Sequence, residues 1–219
     1  MNRRSKFEKD FLVVDEYFPK LSFCWNLKSK HWIITGDLDI CDTEGNYWNT
    51  FNISIFVPHT YPHCVPIVKE NSALIKREED WHISQEGICC LDIEHNLIVM
   101  SRRGIEIGSF IRDKVYPYFA NQLYKLSENT YAGKEYSHHF EGILQYYVED
   151  LNLLSEELTI RFLERIISHT FVGRNDKCPC GSAKKIKECH LESIEKIKDL
   201  GKTRIKKDLE TLKSKMLSK

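Results

Sequence analysis

Three cysteines and a histidine lie close together near the C-terminal end of the sequence. Cys178 and Cys180 are separated by one proline, and Cys189 and His190 follow after eight intervening residues. Thiolate and imidazole are ligands that zinc prefers, and four of them complete a tetrahedral structural site. A completed site leaves no position for a substrate. The spacing therefore predicts a structural zinc ion, bound by these four residues, rather than a catalytic one.

A second cysteine pattern is the adjacent pair Cys89 and Cys90, within EGICCLDIE at 86–94. A disulfide between neighbouring cysteines would be strained, so two other roles remain open for these thiols. One is core packing, since cysteine is among the most buried residue types. The other is nucleophilic catalysis, which requires an accessible sulfur that can become a thiolate.

Composition limits the class of protein. The chain has 219 residues, 42% of them hydrophobic and 29% charged, and its formal net charge is zero. These proportions are ordinary for a globular protein, and zero net charge argues against nucleic acid as the partner. Neither a membrane-spanning apolar run nor the apolar segment of a signal peptide is evident, so we expect a cytoplasmic location. In that compartment, metal binding or catalysis explains cysteines better than disulfides do. For the isolated cysteines we predict core positions: Cys24, Cys41 and Cys64.

Hydrophobic periodicity predicts the elements that must position these cysteines. An amphipathic helix is expected at 4–18, followed by four strands at 21–27, 32–40, 47–57 and 65–69. A polar loop with glycine joins the second and third strands as in a hairpin. Residues 70–100 are predicted to be irregular, and helices are expected at 104–126, 138–151 and 155–167.

The C-terminal string GRNDKCPCGSAKKIKECH at 173–190 resembles the SEC-C motif. This is a small zinc module found at the C-terminus of the bacterial secretion ATPase and on many other bacterial proteins. The pieces RND, CPCGS and CH are all present, and Ala183 stands where the family often has glycine. The resemblance implies a structural zinc ion and docking to a partner.

The first half resembles the ubiquitin-conjugating family. Its element order of helix, meander, irregular stretch, cysteine and helices is similar, and Tyr61-Pro62 with Pro66 resembles the family's YPxxPP segment. The run 87–93, GICCLDI, resembles the block around the family's catalytic cysteine, and Ile83 matches an upstream isoleucine. The resemblance implies an α+β fold with a four-stranded antiparallel meander and flanking helices. In that register Cys90 is the nucleophile and Cys89 takes the apolar position before it.

The family's HPN tripeptide falls on Asp80-Trp81-His82, so His82 replaces the asparagine thought to support the oxyanion. A histidine can also donate a hydrogen bond to an oxyanion or lower the pKa of a thiol. Further along, GSFIRDKVYPYFANQLYKL and EYSHHFEGILQYY resemble divergent bacterial ubiquitin-conjugating-like proteins of antiphage operons, including CBASS systems. Within YSHH, His138 is a candidate acid or base.

The resemblance implies an acyl carrier or transferase. Cys90 would form a thioester with the C-terminal glycine of a ubiquitin-like protein, or of a partner such as a CD-NTase. Because the chain lacks a glycine-rich nucleotide loop, the activating enzyme would be a separate protein, unless this protein forms its thioester by another route. One alternative is a non-catalytic adaptor of the same fold that binds such a tail. Another is a zinc-dependent nucleic-acid-binding protein, against which the neutral charge argues.

The sequence is thus divided into four predicted segments. They are a conjugating-type domain at 1–150, a helical linker at 151–172, a zinc knuckle at 173–190 and a basic C-terminal helix at 191–219.

Overall fold

The computed structural model describes residues 5–133, 135–170 and 173–216. Parts of the predicted conjugating domain, linker and basic tail lie outside these described residues. By internal contacts the chain forms two compact units, Met1–Lys134 and Glu135–Lys219, which are described separately. The division comes earlier in the chain than the boundary near residue 150 that the sequence predicts.

The first unit has the predicted α+β architecture, with a four-stranded antiparallel sheet in the order β1-β2-β3-β4. Its helix and strands before the cysteine pair are α1 Lys6–Tyr17, β1 Leu21–Asn26, β2 His31–Cys41, β3 Tyr47–Pro58 and β4 Ile67–Glu70. A 3₁₀ turn at Glu79–Trp81 precedes the cysteine pair. The helices after it are α2 Glu94–Arg103, α3 Ile107–Phe110 and α4 Tyr116–Glu128, with a π-helical turn at Ile111–Val115 between the last two.

One face of the sheet carries the core, as the two-residue period of a strand requires. On β3 every second side chain is buried, namely Phe51, Ile53, Ile55 and Val57. α1 contributes its own buried stripe to the same cluster, and Phe119 of α4 lies with its ring centroid 4.6 Å from that of Phe51. The helices and the sheet therefore share one hydrophobic core.

α1 begins where the sequence predicts a helix, because Ser5 and Glu8 form a capping box. The Ser5 hydroxyl accepts from the Glu8 N–H, and the Glu8 carboxylate accepts from the Ser5 N–H. This reciprocal pair satisfies two of the N–H groups that a helix start leaves without partners.

α2 corrects the sequence prediction, which treats this part of the chain as irregular. The helix lacks a side-chain cap at its N-cap residue, Ile93, and His95 is its one fully buried residue. Without a cap residue or a broad apolar stripe, neither of the usual sequence signals of a helix was available.

The second unit is helical. Its elements are α5 His139–Gln145, a π-helical turn Tyr146–Asp150, α6 Glu156–Ile167, a 3₁₀ turn Ile186–Glu188, α7 Leu191–Leu200 and α8 Lys202–Met216. Ser155 caps α6, its hydroxyl accepting from the Leu158 N–H. The basic tail forms two helices where the sequence predicts one. Gly201, with φ +82°, ends α7 in a backbone conformation that favours glycine.

Across the described ranges, every helix falls short of the combined length and apolar character that crossing a bilayer requires.

Candidate functional site

The four predicted zinc ligands lie together in the second unit. One ligand atom from each of Cys178, Cys180, Cys189 and His190 lies within 4.8 Å of all the others. The His190 Nδ1 is 3.3 Å from the Cys178 sulfur and 3.1 Å from the Cys189 sulfur. The Cys180 and Cys189 sulfurs are 3.5 Å apart. These distances place three sulfurs and one nitrogen around a common centre.

The imidazole of His190 is oriented by the main chain of its own unit. Its Nε2 lies 3.0 Å from the carbonyl oxygen of Asn152. A carbonyl oxygen can only accept, so Nε2 carries the proton and Nδ1 keeps its lone pair for the cluster. Holding the second ring nitrogen in this way is how proteins fix the tautomer of a metal-binding histidine.

A tight turn brings the paired cysteines back toward the others. The Cys178 N–H donates to the Lys184 carbonyl at 2.8 Å, and Gly181 has φ +86°. Ile186 is buried and donates to the Asp176 carbonyl. Main-chain hydrogen bonds thus fold a segment, 173–190, in which Ile186 is the one buried aliphatic side chain, a situation in which metal coordination supplies the missing stability.

The thiols of the cluster differ in acidity, and together with the imidazole they form a donor set that suits zinc. Burial raises the pKa of Cys178 to about 12. For Cys180, burial opposes ionisation, but hydrogen bonds from Ser182 and the neighbouring thiols outweigh it and lower the pKa to about 6. Three thiols and one imidazole form a Cys₃His zinc site, in which all four positions are filled by protein ligands.

The adjacent cysteines of the first unit have opposite environments. Cys89 is 8% exposed and belongs to the core, whereas Cys90 is exposed. Isolated β-bridges join Ile88 to Lys69 and Cys89 to Ile83, so the segment is extended and successive side chains point to opposite sides. Burial raises the pKa of Cys89 to about 12, which keeps this thiol neutral. The prediction that Cys89 packs in the core is confirmed.

The Cys90 backbone is held by residue 82. Its N–H donates to the His82 carbonyl at 2.8 Å. Partial burial of the sulfur, and secondarily the negative charge of Glu79, raises the pKa of the Cys90 thiol, although the residue as a whole is exposed. At neutral pH this sulfur is therefore mostly protonated.

His82 lies beside Cys90 through its main chain. It follows the 3₁₀ turn with φ +48°, in the left-handed region, and its ring centroid lies 5.4 Å from that of Tyr131. The structure therefore brings the predicted pair Cys90 and His82 together in one unit. The predicted oxyanion role of the His82 side chain stays a prediction.

His138, the third predicted catalytic residue, belongs to the second unit. It is exposed and occupies the N-cap position of α5. Its role as an acid or base stays a prediction.

A partly buried ion pair lies under the segment that leads to the cysteines. Glu70, at the end of β4, is fully buried, and its carboxylate accepts from Arg77 at 2.5 Å. Arg77 also donates to the Glu70 carbonyl. Gly87 passes directly over this pair with φ +86°, and a Cβ there would lie 2.6 Å from the Glu70 carbonyl oxygen. The glycine of the GICC block is therefore required by close approach as well as by φ.

Sequence reasoning missed three residues of α4 that contact the loop before the cysteines. Tyr118, Gln122 and Lys125 are all buried, and each donates a hydrogen bond to a main-chain carbonyl of residues 80–82. Their i, i+4, i+7 spacing was a usable signal, because it puts three polar side chains on one helix face.

Of the three isolated cysteines, Cys64 packs against the hydrophobic core as predicted. Cys24 is exposed, so its predicted core position is wrong, and Cys41 and Cys64 are half-buried. Cys24 lies in β1 next to Phe23, which packs against the core, so the two-residue period of the strand points Cys24 to the opposite face.

Comparison with known proteins identifies the C-terminal module. Residues 174–192 match the SEC-C motif, a zinc-binding motif. Over 24 residues the chain is 67% identical to the protein translocase subunit SecA of Ehrlichia canis (strain Jake). The aligned part is 11% of this chain and spans 3% of that relative. The motif match agrees with the Cys₃His cluster and with zinc as its ion.

Proposed function

We propose that this chain is a ubiquitin-conjugating-like acyl carrier, with Cys90 as the sulfur that bears the acyl group. The observation that carries the proposal is the different exposure of the two adjacent cysteines. The Cys89 side chain is locked in the core while that of Cys90 is exposed. A carrier thiol needs this arrangement, since a rigid backbone must present a sulfur that a second protein can reach.

The architecture of the first unit supports the proposal. A helix, a four-stranded antiparallel meander, an extended cysteine segment and further helices follow in the order expected of a ubiquitin-conjugating fold. The Tyr61 hydroxyl donates to Asp10 of α1 and accepts from the Ile107 N–H of α3. The Tyr-Pro segment that resembles the family is therefore part of the scaffold.

The chemistry balances without a metal or a redox partner. The Cys90 thiol gives its proton to water, and the sulfur attacks the carbonyl carbon of an acyl group already activated as a thioester on another protein. A new C–S bond forms, the donor's C–S bond breaks, and the departing thiolate takes a proton. In the second step an amine nitrogen attacks the same carbon, the bond to Cys90 breaks, and the amine proton passes to the departing thiolate.

The raised pKa of Cys90 leaves little thiolate at neutral pH, but it makes the thiolate that does form more reactive. A less acidic thiol is intrinsically the stronger nucleophile once it is deprotonated. Because the acyl group arrives activated, a dedicated base beside the sulfur is not needed. The main-chain N–H groups of the cysteine segment and the His82 side chain are the candidate donors to the oxyanion.

The acyl group we favour is the C-terminal glycine of a ubiquitin-like protein or of a partner such as a CD-NTase, in antiphage defence. This rests on the resemblance of the cysteine block and the helical segments after it. A separate activating enzyme supplies the thioester. The zinc ion of the SEC-C module is structural, because its four positions are all occupied by protein ligands, and the role we assign to the module is docking to a partner.

An adaptor that binds such a tail without forming a thioester is the second candidate. It is favoured by the absence of the HPN asparagine and by the raised pKa of Cys90, which leaves little thiolate at neutral pH.

The test is the intact mass of the full chain, co-expressed with the products of its neighbouring genes and isolated without reductant. Wild type, Cys90→Ser and Cys89→Ser are compared before and after treatment with a phosphine and with hydroxylamine. A phosphine reduces disulfides and leaves thioesters, whereas hydroxylamine cleaves thioesters. We expect a phosphine-resistant, hydroxylamine-labile adduct on wild type and on Cys89→Ser.

In Cys90→Ser the thioester should be absent or replaced by a more stable ester. A labile thioester that persists in Cys90→Ser and disappears in Cys89→Ser would move the carrier to Cys89. A stable complex with a tail-bearing partner, without an adduct in any variant, would favour the adaptor.

A further inference from the structure

Three consecutive main-chain carbonyls before the cysteine pair accept hydrogen bonds from one face of α4. Lys125 Nζ donates to the Asp80 carbonyl at 2.5 Å, and Gln122 Nε2 donates to the Trp81 carbonyl at 3.1 Å. The Tyr118 hydroxyl donates to the carbonyl of residue 82 at 3.1 Å. We call Tyr118, Gln122 and Lys125 the α4 stripe.

The last of these carbonyls is shared with the proposed carrier residue. The His82 oxygen accepts from the Tyr118 hydroxyl and also from the Cys90 N–H, at 2.8 Å. One oxygen therefore links α4 to the backbone of Cys90. A displacement of residue 82 would move the main-chain atoms that place the sulfur.

The stripe is built on a rigid support. Phe119, next to Tyr118, packs its ring against Phe51 of β3 in the core and is fully buried. The Lys125 ammonium is buried as well, 4.8 Å from the Trp81 ring centroid and 4.2 Å from that of Tyr131. It also pairs with the Asp80 carboxylate at 2.8 Å. Cation–π contacts and an ion pair thus fix the far end of the stripe.

We propose that the α4 stripe is a positioning device for acyl transfer: it fixes the backbone of residues 80–82 and, through the His82 carbonyl, the placement of Cys90. The stripe residues act through the main chain and do not touch the acyl group. This inference rests on the proposed carrier function. To the carrier function the inference adds a role for α4, which sets the geometry at the sulfur. It does so by holding residues 80–82, the loop in which the HPN tripeptide is replaced.

The chain offers a matched pair of substitutions on the same helix. Tyr118→Phe removes a hydroxyl that donates to the His82 carbonyl. Tyr116→Phe removes a hydroxyl that bonds instead to the backbone of Cys41, donating to its carbonyl and accepting from its N–H. Both changes delete one oxygen from a tyrosine of α4 that bonds to main chain. Gln122→Leu is a second stripe variant of similar volume.

Two quantities are measured on the full-length protein: hydrogen exchange of the Cys90 amide by NMR, and the rate of acyl loading at Cys90. The acyl probe is a peptide ending in Gly-Gly, supplied as its mercaptoethanesulfonate thioester, with the acylated cysteine located by peptide mass spectrometry. Loss of one such hydrogen bond is expected to speed Cys90 amide exchange and to slow loading, each about fivefold, relative to Tyr116→Phe. The same direction is expected for Gln122→Leu.

Equal amide exchange in Tyr118→Phe and Tyr116→Phe would overturn the positioning role, whether or not Cys90 accepts the acyl group. Faster exchange with loading unchanged from wild type would also overturn it, because backbone placement would then not govern transfer. Wild-type Cys90 that never loads, with exchange still faster in both stripe variants, would instead overturn the carrier function. In that case the result would still support the α4 stripe as the group of residues that holds the Cys90 backbone.

Discussion

The two cysteine regions of this molecule are organised in opposite ways. In the C-terminal cluster, four side chains within thirteen residues converge on one point, and the surrounding main chain contributes a short turn. At Cys90 the side chain is exposed, and it is the backbone around this residue that other parts of the unit hold in place. Hydrogen bonds from distant elements hold that backbone in place.

The difference shows where the stability of each region comes from. The segment 173–190 buries a single aliphatic side chain, that of Ile186, so coordination must hold the turn together. The cysteine pair of the first unit rests on a core shared by the sheet and the helices. A zinc-site variant should therefore lose local order, whereas a change at Cys90 should remove chemistry and leave the fold intact.

The largest expected effect is at the zinc cluster. Cys178→Ser removes one of four ligands, and with it most of a coordination free energy on the order of 10 kcal/mol. Zinc content measured by mass spectrometry should fall from stoichiometric to near zero, and amides in 173–190 should exchange freely.

Cys24→Ser, which alters an exposed cysteine outside the cluster, should keep its zinc. If the amides in 173–190 stayed protected in the Cys178→Ser protein, coordination would not be what organises the turn, and the contrast between the two regions would disappear.

The next effect is at the partly buried ion pair under the cysteine segment. Arg77→Met leaves the fully buried Glu70 carboxylate without its cation, which should cost about 3–5 kcal/mol in free energy of unfolding. Urea denaturation followed by circular dichroism measures this cost. Lys6→Met, at an ion pair with a largely exposed lysine, should cost less than about 1 kcal/mol.

The double variant Glu70→Gln/Arg77→Met should recover much of the loss, because the uncompensated charge is gone. If Arg77→Met cost no more than Lys6→Met, the expected dependence of the buried Glu70 carboxylate on its cation would be wrong.

A smaller effect separates the adjacent cysteines. Cys89→Ala creates a small core cavity and should cost about 1 kcal/mol in free energy of unfolding. Acyl loading of Cys90 should stay close to wild type. Cys90→Ala should abolish loading while changing stability by no more than about 0.5 kcal/mol, as expected of an exposed position. The reverse pattern, with Cys89→Ala abolishing loading, would exchange the two roles.

The smallest effect concerns the acidity of Cys90. Partial burial and the charge of Glu79 raise its pKa. The rate of alkylation by iodoacetamide should therefore reach half its maximum at a higher pH than it does for an ordinary cysteine. Glu79→Gln removes a negative charge that opposes thiolate formation, and the midpoint should move to lower pH. Glu86→Gln is the matched control. Equal midpoints in wild type and Glu79→Gln would show that burial alone raises this pKa.

Much of the scaffold could be predicted from the sequence. The first helix and all four strands were placed close to their observed bounds, because each combines regular hydrophobic periodicity with a clear turn or cap. α2 was missed, since Ile93 provides no side-chain cap and only His95 is fully buried. The tail was predicted as one helix, although Gly201 interrupts it.

The zinc cluster was determined by the sequence alone: its ligands are neighbours in the chain, and the chemistry of sulfur and imidazole names the metal. The assignment of Cys89 to the core and Cys90 to the surface became certain only in the tertiary structure, because bridges to Lys69 and Ile83 set which way each side chain points. The α4 stripe likewise required the fold. Its three donors lie more than thirty residues from the carbonyls they satisfy, and contacts over that separation follow from packing rather than from local pattern.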